Sequence, residues 1–258
     1  MRWWPALVLA GMVVATWPVW RWYVLRLTDG SDEPCGVLAL VSLGFLSFRH
    51  RISLPADDHR LLWPAILIAV YVGVFPFSPP LVRALLTAAA FGALLLRGRG
   101  TAGLWGLLAL SLPLIATLQF YVGYPLRLLA AEASALTLRL CGFAVVREGS
   151  LLHWAGETIL VDAPCGGIHM LWFGFYLAFL LAAFYRLDVR RTTISAGVTL
   201  VVVIAANMAR STSLFFKESH IIALPEWTHA GIGVATFAVA AWLIAGITQK
   251  LQSKSCIA

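Results

Sequence analysis

The sequence predicts an all-α polytopic membrane protein of about eight transmembrane helices, with a small extracytoplasmic segment that contains a helix and a β-hairpin. Of its 258 residues, 60% are hydrophobic and only 12% are charged, whereas a soluble domain carries about 25% charged residues. A soluble fold of this length could not enclose so much apolar surface. The apolar residues also occur in runs that end at arginine, lysine or proline, which is typical of membrane spans.

Eight apolar runs are long enough, or nearly so, to cross about 30 Å of hydrocarbon. The first run, residues 4–24, lacks the small-residue cleavage site of a removable signal peptide, so we expect it to be retained. The second run, residues 36–48, is short and could be tilted or re-entrant. Spans three and four are separated at Phe77–Pro80, where paired prolines cannot donate backbone hydrogen bonds. The predicted spans are residues 4–24, 36–48, 61–77, 80–96, 102–121, 166–185, 192–209 and 229–247.

The positions of the basic residues predict the orientation of these spans. With the N-terminus inside, the cytoplasmic segments carry a net charge of +8 (11 − 3), and the opposite side carries −1 (8 − 9). This asymmetry favours an even number of spans with both termini in the cytoplasm. The net charge of +7 does not indicate a nucleic-acid partner, because the basic residues form no single patch. The predicted cytoplasmic basic residues are Arg2, Arg49, Arg51, Arg60, Arg97, Arg99, Arg186, Arg190, Arg191, Lys250 and Lys254.

One long segment between spans, residues 122–163, would then face the extracytoplasmic side. Its residues 125–140 alternate apolar and polar side chains at helical spacing, which predicts a helix lying at the interface or over the bundle. The two stretches Val145–Ser150 and Leu151–Leu160 predict a small β-hairpin. The segment leads directly to a cysteine and two glycines at the start of span six.

That cysteine, Cys165, is the sharpest chemical feature of the sequence. The other three cysteines (Cys35, Cys141 and Cys256) form no CxxC motif and no metal-ligand spacing with it, so neither a metal centre nor a disulfide framework is indicated. At the N-terminus of a membrane helix, the helix dipole and unpaired amides favour the reactive thiolate of Cys165. The same amides could bind an oxyanion, and Gly166-Gly167 would let a substrate backbone approach.

An arginine and a histidine are predicted at the same membrane face. Arg210 ends span seven, where its guanidinium could lower the thiol pKa or stabilise a tetrahedral intermediate, and Asn207 lies one turn earlier. His229 begins span eight and suits general acid–base chemistry. His220 in the preceding loop and His169, one turn after Cys165, are its rivals.

Each of these residues also has a structural interpretation. Cys165 could be a buried thiol, Arg210 an interfacial anchor, and each histidine a packing residue. Nearby acidic residues, including Asp162 and Glu218, are typical of a solvated surface, although they could also receive a basic peptide. Three different helix ends that converge on one face favour a functional site.

With these residues the chain resembles the exosortase/archaeosortase superfamily. Its members carry a Cys, an Arg and a His at extracytoplasmic helix ends, and in some members an Arg stands in place of the His. The resemblance runs from about Leu112 to Gly246. At the cysteine the chain has Cys-Gly-Gly where exosortases commonly have Cys-Ser-Gly, and His169 stands where exosortases usually have a different residue. The residues that carry the resemblance are 125–132 (PLRLLAAE), 142–149 (GFAVVREG), Cys165, Asn207 with Arg210, and His229.

The resemblance implies a cysteine protease or transpeptidase embedded in a bacterial inner membrane, with its active site on the extracytoplasmic side. Cys165 would be the nucleophile, Arg210 the electrostatic stabiliser and His229 the acid–base partner. The substrates would be exported, membrane-anchored proteins with a C-terminal signal made of a Pro-Glu-Pro-like motif, a transmembrane helix and a basic tail. A thioacyl intermediate would pass to an amine acceptor.

We expect one integral membrane domain over residues 1–258. Residues 1–101 hold spans without a diagnostic feature, and residues 102–248 hold the exosortase-like catalytic part. Neither metal nor cofactor is required, because a thiolate, a proton shuttle and oxyanion donors suffice. The alternatives are a transporter or channel with an ionisable pathway lined by Arg210 and His229, and a membrane scaffold in which Cys165 is inert.

Overall fold

A computed structural model describes residues 4–29, 34–51, 61–96, 101–161, 166–222 and 225–253. The helices are α1 (Trp4–Ala15), α2 (Trp17–Thr28), α3 (Cys35–Arg49), α4 (Leu62–Val74), α5 (Pro80–Leu95), α6 (Ala102–Leu110), α7 (Ile115–Tyr121), α8 (Gly123–Leu140), α9 (Ile168–Phe184), α10 (Val189–Glu218) and α11 (Trp227–Ser253). The strands are β1 (Val146–Glu148), β2 (Leu151–Trp154) and β3 (Glu157–Leu160), between α8 and α9. The predicted helical class is therefore confirmed.

Two of these helices, α10 and α11, are each long and apolar enough to cross a membrane. The number rises to four if α1 with α2, and α6 with α7, are each counted as one span. Four further apolar helices (α3, α4, α5 and α9) are shorter. Each predicted span thus corresponds to one helix or one broken pair of helices, while a count of eight crossings stays a prediction.

The first and fifth predicted spans are not continuous helices, contrary to expectation. Helices α1 and α2 are bent by 61° at Thr16, whose hydroxyl donates to the carbonyl of Met12 at 2.7 Å and accepts from the indole of Trp20 at 3.0 Å. Pro18 follows at the start of α2 and cannot donate to the preceding turn. Pro113 has the same effect in the break between α6 and α7.

The chain folds into two compact units. The first comprises residues 1–114 and 179–192. In it α5 packs against α2, α4 and α6, and α3 packs against α6. Buried side chains from α2, α4 and α5 form one of its cores, namely Val19, Tyr71 and Ala84 together with Leu112.

The second unit, residues 115–178 and 193–258, holds every candidate site residue. Alanines of α8 pack against the sheet and α10, and the bulky members of this core include Leu138, Leu152, Ile159, Leu214 and Phe215. Helices α10 and α11 are antiparallel neighbours, because the hydroxyls of Ser195 and Thr248 lie 2.8 Å apart. The small residues of α8 allow the helix to approach the sheet closely.

The segment after α8 is a three-stranded antiparallel sheet of order β1-β2-β3, so the prediction of a two-stranded hairpin over residues 145–160 is wrong in its strand number. Two tight turns divide the stretch. Gly149 has φ +59°, and Ala155 and Gly156 have φ +50° and +88°, as a two-residue turn between antiparallel strands requires. The helix predicted at 125–140 is confirmed as α8, which begins two residues earlier at Gly123.

Candidate active site

The start of α9 is held against α10 by a close backbone approach. Gly167 has φ +78°, and a Cβ added there would lie 2.6 Å from Cγ of Asn207. Asn207 is buried, with 6% of its surface exposed, and the carbonyl of Gly167 accepts the first helical hydrogen bond from Leu171 at 2.8 Å. The nucleophile candidate Cys165, like Asp162 and Cys256, lies outside the described residues. Two residues after Cys165, however, the chain is tied to Asn207.

Replacing Gly167 with alanine is therefore expected to destabilise the protein. The left-handed backbone costs a non-glycine residue about 1–2 kcal/mol, and the methyl group would also overlap Asn207. We expect the thermal midpoint of the purified protein in detergent to fall by about 4 °C or more. The matched control is Gly197→Ala in α10, where an added Cβ meets no atom within 4 Å. An unchanged midpoint in Gly167→Ala would contradict the proposed contact with Asn207.

Gly166 is bordered by the start of α8. A Cβ there would lie 3.2 Å from Cγ of Arg127 and 3.4 Å from the carbonyl oxygen of Gly123. The Arg127 guanidinium lies over the Tyr124 ring at 5.5 Å, and its buried Nε makes no hydrogen bond with the residues that the structure describes. Sequence reasoning missed Arg127, although it lies in the PLRLLAAE stretch. Arg127 brings a cationic side chain beside Gly166, the residue that follows Cys165.

Arg210 lies one helical turn after Asn207 and contacts α11. Its Nε would be 3.3 Å from a Cβ at Gly233, and its Cζ 3.7 Å. Gly233 is one turn further along α11 than His229. The absence of a side chain at Gly233 thus leaves space for the guanidinium close to the beginning of α11.

His229 is paired with a carboxylate from the end of α10. Its Nδ1 lies 3.3 Å from Oε1 of Glu218, which is also 3.3 Å from Nζ of Lys217. A carboxylate acceptor requires the proton on Nδ1, and Nε2 is then available for proton transfer. The side chains of His229 and Glu218 are 38% and 43% exposed, so the pair is accessible. The assignment of Glu218 to a solvated surface overlooked this contact.

The two rival histidines have different surroundings. His220 is exposed, lies just beyond α10 with φ +54°, and its amide donates to the carbonyl of Lys217 at 3.2 Å. Its backbone therefore closes the helix. His169 is half-buried in the first turn of α9. The carboxylate partner of His229 is of the kind found in catalytic triads.

A cavity of about 370 Å³ opens between β3, the last turns of α10 and the first turn of α11. Glu218 and His229 both line it, so their pair faces space that a substrate could enter. A second, apolar cavity of about 20 Å³ borders Gly166, Gly167 and Asn207. Among the described residues no group of His, Cys, Asp and Glu could hold a metal ion. The other residues that line the larger cavity are Leu152, Thr158, Ile159, Leu160, Val161, Ser211, Leu214 and Phe215.

The fold and this arrangement define a helical membrane protein with a histidine, an arginine and a helix start gathered in one unit. A sequence model of the transmembrane exosortases matches residues 3–246, and the chain belongs to that family. The resemblance is thus confirmed, and it extends over the N-terminal spans, which carry no diagnostic motif. No curated protein and no solved structure matches the chain significantly.

Proposed function

We propose that this exosortase is a membrane-embedded cysteine protease and transpeptidase that cleaves the C-terminal sorting signals of exported proteins. The observation that carries the proposal is a series of three contacts along one end of α10. Asn207 meets Gly167, Arg210 meets Gly233, and Glu218 pairs with His229. Together these contacts bring two elements to α10, the helix that carries the Arg210 guanidinium. One is the start of α9, which follows Cys165 in the sequence, and the other is the His229 imidazole.

The reaction begins with the Cys165 thiol. Nε2 of His229 accepts the thiol proton, and the thiolate attacks the scissile carbonyl carbon, forming a C–S bond. The resulting oxyanion is stabilised by the Arg210 guanidinium and by amides at the start of α9. Collapse breaks the C–N bond, His229 returns its proton to the leaving amine, and a thioester remains on Cys165.

The second half of the reaction releases the substrate from the enzyme. An amine acceptor loses a proton to His229 and attacks the thioester carbonyl, and the thiol of Cys165 is regenerated when the C–S bond breaks. Water in place of the amine gives hydrolysis. Glu218 holds the imidazole in one tautomer through both steps.

The substrate's own membrane helix supplies proximity. A protein anchored by a C-terminal helix presents its cleavage site at a fixed depth, which replaces a diffusive encounter with a local one. By family membership, the proposed partners are membrane-anchored exported proteins with a Pro-Glu-Pro-like motif and a basic tail, together with an amine acceptor. The family match includes the N-terminal spans, which fits an enzyme that works within the bilayer.

The proposed topology has eight spans, both termini in the cytoplasm and residues 122–163 outside the cytoplasm. Reporter fusions after Lys250 and within β2–β3, at Gly156, are expected to report opposite compartments because the basic residues are concentrated on the predicted inner side. The same compartment for both fusions would contradict the topology. It would also separate the proposed active site from exported substrates.

Arg210→Lys is expected to process a co-expressed substrate nearly as poorly as Arg210→Ala. Lysine keeps the charge but loses the planar guanidinium that can donate two parallel hydrogen bonds to one anion. Processing is measured by the new C-terminus of the substrate in mass spectrometry. Arg190→Lys, an exposed position at the far end of α10, is the control and should process normally. Full activity of Arg210→Lys would show that Arg210 acts only through its positive charge.

The transporter or channel interpretation is not favoured by family membership. The scaffold interpretation predicts an inert Cys165. Alkylation of Cys165 from the extracytoplasmic side at neutral pH would distinguish a catalytic thiol from a buried one, because only the thiolate of an accessible cysteine reacts readily.

A further inference from the structure

Strand β3 is an edge strand whose backbone groups can be assigned from the pairing register. β2 and β3 pair as Leu152 with Ile159 and His153 with Thr158, and the amide of Val161 donates to the carbonyl of Ser150 at 2.9 Å. In an antiparallel pair, residues that exchange backbone hydrogen bonds alternate with residues that do not. Ile159 therefore bonds to β2, as Val161 does.

The backbone N–H and C=O groups of Thr158 and Leu160 consequently point away from β2. The Thr158 hydroxyl supports this assignment, because it lies 3.0 Å from Nδ1 of His153 and side chains approach closest in the pairs that do not exchange backbone bonds. Among the strands that the structure describes, none pairs with this edge. Two donors and two acceptors are thus presented at a spacing of two residues, which matches an extended peptide.

This edge borders the 370 Å³ cavity that also contains Glu218 and His229. The volume lies in the range of about 300–1,000 Å³ that is typical of ligand sites. Along the chain, Leu160 precedes Cys165 by five residues. The free edge is therefore continuous in space with the candidate acid–base pair and in sequence with the candidate nucleophile.

We propose that the substrate segment preceding the scissile bond binds as a fourth strand of this sheet, hydrogen-bonded to the outer edge of β3 at Thr158 and Leu160. This inference rests on the proposed function and specifies how the substrate is held. The occupant is an extended peptide. Its main chain gives affinity, and side chains at alternate positions enter the cavity beside Ile159 and Phe215.

Such pairing aligns the substrate main chain along β3, the strand that precedes Cys165 in the sequence, with the Glu218–His229 pair across the cavity. An edge strand that is left open invites non-specific pairing. A strand as short as β3, with four residues, limits that risk and still offers the two outward positions. Specificity then depends on the substrate side chains that face the cavity rather than on the main chain.

Disulfide crosslinking tests the binding mode without catalysis. Leu160→Cys is introduced into the full chain with Cys35, Cys141, Cys165 and Cys256 replaced by alanine. It is co-expressed with an exported protein that the wild-type chain cleaves and that carries single cysteines along the segment before the cleavage site. We expect crosslinks at every second substrate position, because side chains of a strand alternate between two faces.

The matched control is Val146→Cys in β1, which is 63% exposed and belongs to the opposite edge of the same sheet. It should form no crosslinks. Crosslinks at consecutive positions, equal crosslinking of Val146→Cys, or no crosslinks at all would overturn the inference while leaving the proposed function intact. Failure of the wild-type chain to cleave any exported protein with a sorting signal would overturn both.

A kinetic test uses the backbone donor itself. Thr158→Pro removes an outward N–H without removing a backbone hydrogen bond to β2, as prolines at free strand edges do. We expect KM to rise about 3- to 10-fold, the loss of one hydrogen bond, with kcat retained. Arg147→Pro removes the outward N–H of β1 and should leave KM unchanged. An equal KM in the two proline variants would overturn the inference.

Discussion

Replacement of Cys165 with alanine is expected to abolish substrate processing while leaving membrane insertion and expression intact. The proposed reaction passes through a thioester on this sulfur, and no other residue in the scheme can form it. The measurement is the fraction of a co-expressed exported protein that acquires a new C-terminus. Loss of the nucleophile should reduce this fraction to that of cells without the enzyme.

The other three cysteines provide the controls for this experiment. Cys141 is exposed at the C-terminal end of α8, and Cys35 begins α3 in the other unit. Alanine at Cys141, Cys35 or Cys256 should leave processing normal. An equal loss in all four variants would point to folding rather than catalysis, and normal processing by Cys165→Ala would contradict the mechanism.

His229→Ala is expected to reduce the rate of processing by about 10²–10⁴-fold, the usual cost of removing a proton-transfer group. Its Nδ1 is held by Glu218 at 3.3 Å, so Nε2 is available for proton transfer. The measurement is the rate of processing at matched expression. Unlike Cys165→Ala, this variant should keep a slow residual reaction, because the thiolate and the oxyanion donors remain.

His220→Ala and His169→Ala are the matched comparisons. His220 is exposed and contributes its backbone to the end of α10, so its imidazole should be dispensable. His169 is half-buried in the first turn of α9, and we expect its imidazole to be dispensable as well. Normal processing by His229→Ala together with loss in His169→Ala would place the proton-transfer group on α9 and contradict our assignment.

Hydropathy predicted which stretches are helical but not where the helices end. The span predicted at 192–209 is part of α10, which continues to Glu218, because a helix can extend beyond the apolar region with Lys217 and Glu218 in its last turn. An average over a whole run also hides local breaks. The bend at Thr16 arises from one hydroxyl and Pro18, which a run of apolar residues does not reveal.

The turn chemistry explains the error in the sheet. Gly156 is recognisable as a turn residue, but the residue before it is Ala155, which adopts φ +50° although alanine rarely does so. From the sequence alone, Gly149 in the first turn is more readily interpreted as the end of a strand than as a turn that connects β1 to β2. A third strand and its free edge could therefore not be expected from the sequence.

Only some of the contacts around the candidate residues follow from the local sequence. Helical spacing places Asn207 one turn before Arg210, and local sequence was enough for that. The pair of Glu218 with His229 and the contact of Arg127 with Gly166 depend on how separate helices pack. Such contacts follow from tertiary structure, and a pattern along the chain does not contain them.

The most direct test of the central claim is mass spectrometry of the enzyme after incubation with a sorting-signal protein in the absence of an amine acceptor. We predict an adduct on the peptide that contains Cys165, with the mass of the substrate's N-terminal fragment, which hydroxylamine removes as expected for a thioester. The adduct should be absent from Cys165→Ala. Cleavage of the substrate with no adduct on Cys165, or with an adduct that persists in Cys165→Ala, would contradict a cysteine transpeptidase.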